Sequence, residues 1–125
     1  MLMKRMVLLI ISLLLLGSCD YEKPILITPD YVSVDYKEQM ITFYTNDPIG
    51  WLQVWHCEYD YHLEDQVYIV EGEWFRLEGH RDSNRVDLFL DENDGEKRYL
   101  YFMAHKLVSA DIAVVIQGSH NQEDH

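Results

Sequence analysis

The feature that most constrains this chain is a two-residue alternation of apolar and polar side chains, repeated in short bursts. Residues 40–45 set Ile41 and Phe43 against Thr42 and Tyr44, and residues 51–57 set Leu52 and Val54 against Trp51, Gln53 and Trp55. Further on, Val86, Leu88 and Leu90 alternate with Asp87 and Asp91, and residues 98–104 and 112–117 read as two long strands. Successive side chains of a strand point to opposite faces, so this period buries one face of a sheet and leaves the other in water. Beyond residue 24 no window carries an apolar stripe at the 3.6-residue spacing of a helix. Turn-forming clusters, Asn46-Asp47-Pro48 and Glu92-Asn93-Asp94-Gly95, separate the bursts. Pro24 and Pro29 bracket Ile25-Leu26-Ile27 as a first edge strand, where a missing N–H does least harm. Many short strands with regular turns predict an all-β domain, a sandwich or a barrel.

The amino terminus follows a different rule. Lys4 and Arg5 precede a Leu/Ile-rich run over residues 7–16, interrupted only by Ser12. That run is too short to span a bilayer, which takes about 20 apolar residues, and it has the form of a secretory leader. Leu16-Gly17-Ser18-Cys19 follows at once and resembles the lipobox of bacterial lipoproteins. The resemblance implies cleavage before Cys19 and acylation of its sulfur, with residues 1–18 as signal peptide and 19–24 as a polar tether. Asp20 and Glu22 resemble the acidic signals that send such lipoproteins to the cell surface. The expected location is therefore the bacterial envelope, anchored by lipid in the outer membrane and facing periplasm or exterior.

Charge removes other classes. Asp plus Glu number 22 against 10 Lys plus Arg, a formal net charge of −12. Loss of residues 1–18 takes two bases and no acid, which deepens −12 to −14. A surface that acidic is repelled by phosphate, so nucleic acid is not an expected partner. Cys57 becomes the one free thiol of the processed chain, and the domain must hold itself by its core without an internal disulfide. Nine Tyr and three Trp argue against a disordered acidic tail.

Asn46-Asp47-Pro48-Ile49-Gly50-Trp51, Glu73-Trp74-Phe75, the run from Asp91 to Arg98, and the closing strand ending in Gln117 together resemble the BACON domain. That family comprises Ig-like β-sandwiches of Bacteroidetes surface proteins. The resemblance spans residues 25–118 and leaves 119–125 as a polar tail. It departs around Tyr59-Asp60-Tyr61-His62, between the two tryptophans. It implies a single Ig-like antiparallel sandwich of about seven strands and a link to polysaccharide utilisation, but a fold does not by itself establish a site. The expected core is Ile41, Phe43, Val86, Leu88, Leu90, Leu100, Phe102, Ile112, Val114 and Ile116.

Chemical constellations are sparse. His56 and Cys57 are adjacent and point to opposite faces of a strand, and no Cys-x-x-Cys or His-x-x-x-His spacing exists, so no metal or other cofactor is expected. A calcium loop at residues 91–95 fails because Leu90 stands where the first acid belongs. Paired carboxylates are plentiful, yet a small sandwich offers little room for the deep cleft glycoside hydrolysis needs. No nucleophile motif is present, and no enzymatic activity is expected. The aromatics remain. If Leu52 and Val54 point inward, Trp51 and Trp55 point outward, and by the same parity Tyr99 and Tyr101 face out beside Leu100 and Phe102. Trp55, Tyr99 and Tyr101 are the candidate strip for stacking a sugar ring; the competing reading makes Trp51 a core residue and the tyrosines ordinary cross-strand pairs. Two functions follow: a structural, interaction or spacer module contacting another surface protein, or a weak binder of neutral glycans.

Overall fold

The computed structural model describes residues 23–120. The leader, Cys19, Asp20 and Glu22 lie outside the described residues, as do residues 121–125 of the tail. Among the described residues there are ten strands: β1 (Ile27–Thr28), β2 (Tyr31–Val34), β3 (Gln39–Thr45), β4 (Trp51–Val54), β5 (Asp60–Glu64), β6 (Val67–Glu71), β7 (Phe75–His80), β8 (Arg85–Leu90), β9 (Arg98–His105) and β10 (Ala110–Gln117). They form a six-stranded sheet in the order β1-β3-β8-β7-β6-β5 and a four-stranded sheet in the order β2-β10-β9-β4. The two sheets pack face to face as an all-β sandwich.

The strand count exceeds the expected seven for two reasons. The short strand bracketed by Pro24 and Pro29 and the one that follows it lie in different sheets, β1 at the edge of the larger sheet and β2 at the edge of the smaller one, because the chain changes sheets at Pro29. The poorly resembling stretch after Trp55 supplies β5, which pairs with β6 from Asp60↔Glu71 to Glu64↔Val67. Nor is every pairing antiparallel: β2 runs parallel to β10, with Tyr31 opposite Val114. Such a pair needs a long connection, and the whole of the domain intervenes between the two strands.

The core forms where the inner faces meet. Phe43 of β3 and Phe102 of β9 are fully buried and meet edge to face, centroids 5.1 Å apart. Around them lie Val86, Leu88 and Leu90 of β8, Leu77 of β7, Leu52 and Val54 of β4, and Leu100 and Ala104 of β9, with Ile41 packed half-buried against the cluster. Gly79 leaves room for the core: a Cβ there would lie 2.3 Å from Ile49 Cδ1 and 2.9 Å from Leu52 Cδ1, so both side-chain ends would have to move.

One core assignment is inverted. Ile112, Val114 and Ile116 are only half-buried and face outward, while Ala113, Val115 and Gln117 point in. Residues 112–116 are apolar in both phases, so alternation alone cannot choose between the faces. The register decides: Ala113 pairs with Phe102 and Val115 with Leu100, both core residues of β9.

A buried polar latch closes the far end of the sandwich. Gln117, 0% exposed, donates from Nε2 to the carbonyls of Tyr36, Lys37 and Asp91 and accepts from Arg98 Nε at 2.8 Å. Arg98 also donates to the Asp91 carbonyl and lies 4.2 Å over the Trp74 ring. Asn93 donates to the carbonyls of Glu96 and Gly118 and accepts from the Gly95 N–H. Buried polar groups are tolerated when satisfied in this way, and the arrangement fixes where the last strand ends. Trp74, Asn93, Arg98 and Gln117, all part of the pattern read from the sequence, therefore serve the architecture.

Candidate functional site

The outward face of the four-stranded sheet collects the residues singled out for their rings. Leu52 and Val54 are buried, which leaves Trp51, Gln53 and Trp55 on the outer side of β4. Leu100, Phe102 and Ala104 are buried, which turns out Tyr99, Tyr101, Met103 and His105 on β9. Ile112, Val114 and Ile116 follow on β10, then Tyr31 and Ser33 on β2. The register runs Tyr31, Val114, Tyr101 across three strands. Trp55 extends the row, because its N–H donates to the Tyr101 carbonyl at 3.0 Å.

The three predicted stacking residues do come together. Tyr99 and Tyr101 lie nearly parallel, centroids 6.4 Å apart with 12° between planes. His56, held at φ 62°, turns the chain out of β4 and sets its ring edge-on to both Trp55 (5.9 Å) and Tyr101 (6.3 Å). That left-handed residue is why regular pairing stops at Val54 and does not run to Cys57. Trp51, 40% exposed, is no core residue; it stacks on its cross-strand partner His105 at 4.7 Å and 3°.

Electrostatics sets this face apart. Within its four strands no Asp, Glu, Lys or Arg projects outward, in a chain of net charge −12. His105 carries no charge at neutral pH either: partial burial pulls its pKa below the usual histidine value. Its Nε2 sits 2.8 Å from Gln53 Oε1. Sequence parity missed Tyr31, Met103, His105 and the three β10 aliphatics as members of the face. The signal for the last three was the run of two-sided apolar residues itself, since a strand buried on one side only has no need of it.

The remaining features gather elsewhere. Cys57 is exposed, and the enclosure it does have pushes its thiol pKa up, so it is a weak nucleophile at neutral pH. It borders an open depression with Glu58, Asp60, Glu71 and Glu73 around it. Among the described residues no three His, Cys, Asp or Glu side chains converge as a metal site, and no helix is long and apolar enough to cross a membrane. His62 reaches Glu64, and His80 reaches Asp87, on the opposite sheet. Of the tail, Ser119 donates to the Gly95 carbonyl and His120 packs against Tyr36.

No protein-family model matches the sequence, and no match to a curated protein was found. Among solved structures, an NMR structure of a protein from Bacteroides thetaiotaomicron is similar over 81% of this chain and 92% of its own, with a TM-score of 0.59 and 12% identity. At that identity the likeness establishes a shared sandwich fold.

Proposed function

We propose that this chain is a non-catalytic, lipid-anchored envelope protein of the BACON type that acts as a structural or interaction module through the open face of its four-stranded sheet. The observation that carries the reading is the uncharged face, on which Trp51, Trp55, Tyr99, Tyr101 and Tyr31 lie beside Met103, Ile112, Val114 and Ile116. Aromatic and Met enrichment with depletion of charge is the signature of a protein interface core. A continuous apolar surface on an otherwise acidic molecule marks a contact site. The partner class is another envelope protein of a polysaccharide-utilising system. Cross-linking in intact cells tests it: the native chain is captured in a discrete complex, and the same complex recovered at full yield from a Trp55→Ala, Tyr101→Ala double variant sinks the reading.

A second reading, weak binding of a neutral glycan, is favoured by the gathering of Trp55, Tyr99 and Tyr101. A pyranose presents a flat C–H face that stacks on such rings. Few polar groups converge there, so affinity belongs in the micromolar to millimolar range, about −8 to −4 kcal/mol. The negative molecule repels sulfated or sialylated chains. Retarded migration of the native protein in gels containing neutral polysaccharide, lost in the double variant, selects this reading over the first.

A further inference from the structure

The β9–β10 turn, residues 106–109, ends in two consecutive aliphatic side chains with almost no protein around them: Leu107 is 89% and Val108 73% exposed. The turn itself is built firmly. The Lys106 N–H donates to the Ser109 carbonyl at 2.8 Å, and Lys106 Nζ is 2.6 Å from Asp47 Oδ2. Two exposed aliphatics on an ordered tip are unfavourable in water and add nothing to the core.

Their position relative to the chain's entry gives them a use. Ile25 donates its N–H to Ser109 Oγ at 3.1 Å, and Asn46 ties both Leu26 and Pro24 to the same end of the sandwich. The described chain therefore enters beside the exposed tip. Cys19 precedes Ile25 by six residues, a contour of at most about 20 Å when fully extended. An acyl group on Cys19 would hold this end against the bilayer, and the tip with it. Loop charges agree: at this end Lys23, Arg81 and Lys106 balance Asp47, Asp65 and Asp82, whereas in the loops of the opposite end, residues 35–38, 55–59, 72–74 and 91–97, eight acids face only Lys37 and Lys97. An end without excess negative charge approaches anionic headgroups without repulsion, and the acidic end is held away from them.

We infer that Leu107 and Val108 form a membrane-inserting tip that reinforces the lipid anchor and fixes the domain upright on the bilayer, with the uncharged sheet face directed sideways. The inference rests on lipidation of Cys19. Aliphatic side chains that enter the interfacial region add binding in proportion to the apolar area buried, and a second contact converts a swivelling tether into a defined orientation.

Full-length protein, processed and acylated in a bacterial host, is reconstituted into phosphatidylethanolamine and phosphatidylglycerol vesicles. A Cys57→Ser background carries a polarity-sensitive fluorophore on Val108→Cys or, at the opposite end, on Asp94→Cys. Flotation with the vesicles, lost in Cys19→Ala, reads the anchor. A blue shift at position 108, with loss of its emission to nitroxides on the lipid acyl chains and no loss at position 94, reads the tip. Flotation with an unquenched label at 108 overturns the tip and leaves the anchor standing. Failure to float, or flotation indifferent to Cys19→Ala, overturns both. A blue shift at 108 that grows with protein concentration in the absence of vesicles assigns the tip to a second copy of the chain and overturns insertion.

Discussion

The two outer faces of this sandwich are built from the same strand alternation and have opposite chemistry. On the six-stranded sheet, exposed apolar residues such as Tyr44 and Phe89 are interleaved with charge, and several of the charges lie beside opposite ones. Asp87, buried to 8% exposure, accepts from Thr42 Oγ1 at 2.9 Å and lies 3.2 Å from His80 Nε2 and 3.3 Å from Arg85 Nε. Arg76 reaches Glu78 on the same strand. Charges set among hydrophobics make that face a poor template for docking, which is how natural sheets stay apart. On the four-stranded sheet the charges are gone, and the rings pair with one another and with a neutral histidine. The difference separates a face where charged side chains lie beside one another from one made of rings and aliphatic side chains without charge.

That contrast can be broken most severely from the inside. Phe102→Ala, beneath Tyr101 on the same strand, removes a fully buried ring and should cost about 3–5 kcal/mol in chemical denaturation. A cost near zero would mean that the inner and outer faces of β9 have been confused. Next in size, Asp87→Ala on the networked face removes the acceptor of Thr42 Oγ1 and the carboxylate that lies beside His80 and Arg85. It should cost about 1–3 kcal/mol, measured in the same way, although the residue touches neither core nor open face. Trp55→Ala and Tyr101→Ala on the open face should each change stability by less than about 1 kcal/mol while abolishing capture of partner or glycan. Comparable losses from Asp87→Ala and Tyr101→Ala would erase the distinction between the faces.

How much of this was legible beforehand depended on whether a strand was polar on one side. In β3, β8 and β9 the polar residues marked the solvent face, so Phe43, Leu88 and Phe102 were placed correctly. In β10 both phases were apolar, and the assignment to the core fell on Ile112, Val114 and Ile116, the side that completes the open face. Trp55, Tyr99 and Tyr101 were found as a group because each alternated with a clearly aliphatic neighbour. The contribution of His56 and His105 was not legible, because it depends on a left-handed turn and a cross-strand register that composition does not encode. The placement of β1 and β2 in different sheets and the parallel β2–β10 pair are likewise tertiary facts, set by where the chain crosses between sheets.

The smallest effect expected comes from acid. His105 is held below its usual pKa by burial. The unfolded chain therefore takes up the proton first, and stability contributed by the neutral ring is present above about 6.5, the unfolded value, and lost as pH falls from there through the lower pKa of the folded chain. A His105→Gln variant should flatten this part of the pH–stability curve, and protonation should weaken partner capture over a similar acid range by placing a charge in the open face.

If the uncharged sheet, and not the networked one, makes the contacts, a single charge placed on each face separates them. The direct measurement introduces the same charge at the same residue type on each: Tyr101→Asp on the open face and Tyr44→Asp on the other, with envelope-complex or glycan capture and thermal unfolding recorded for both. Tyr101→Asp should eliminate capture while Tyr44→Asp leaves it intact, with both chains folded. Loss of capture in Tyr44→Asp alone, or its survival in a folded Tyr101→Asp, would contradict it.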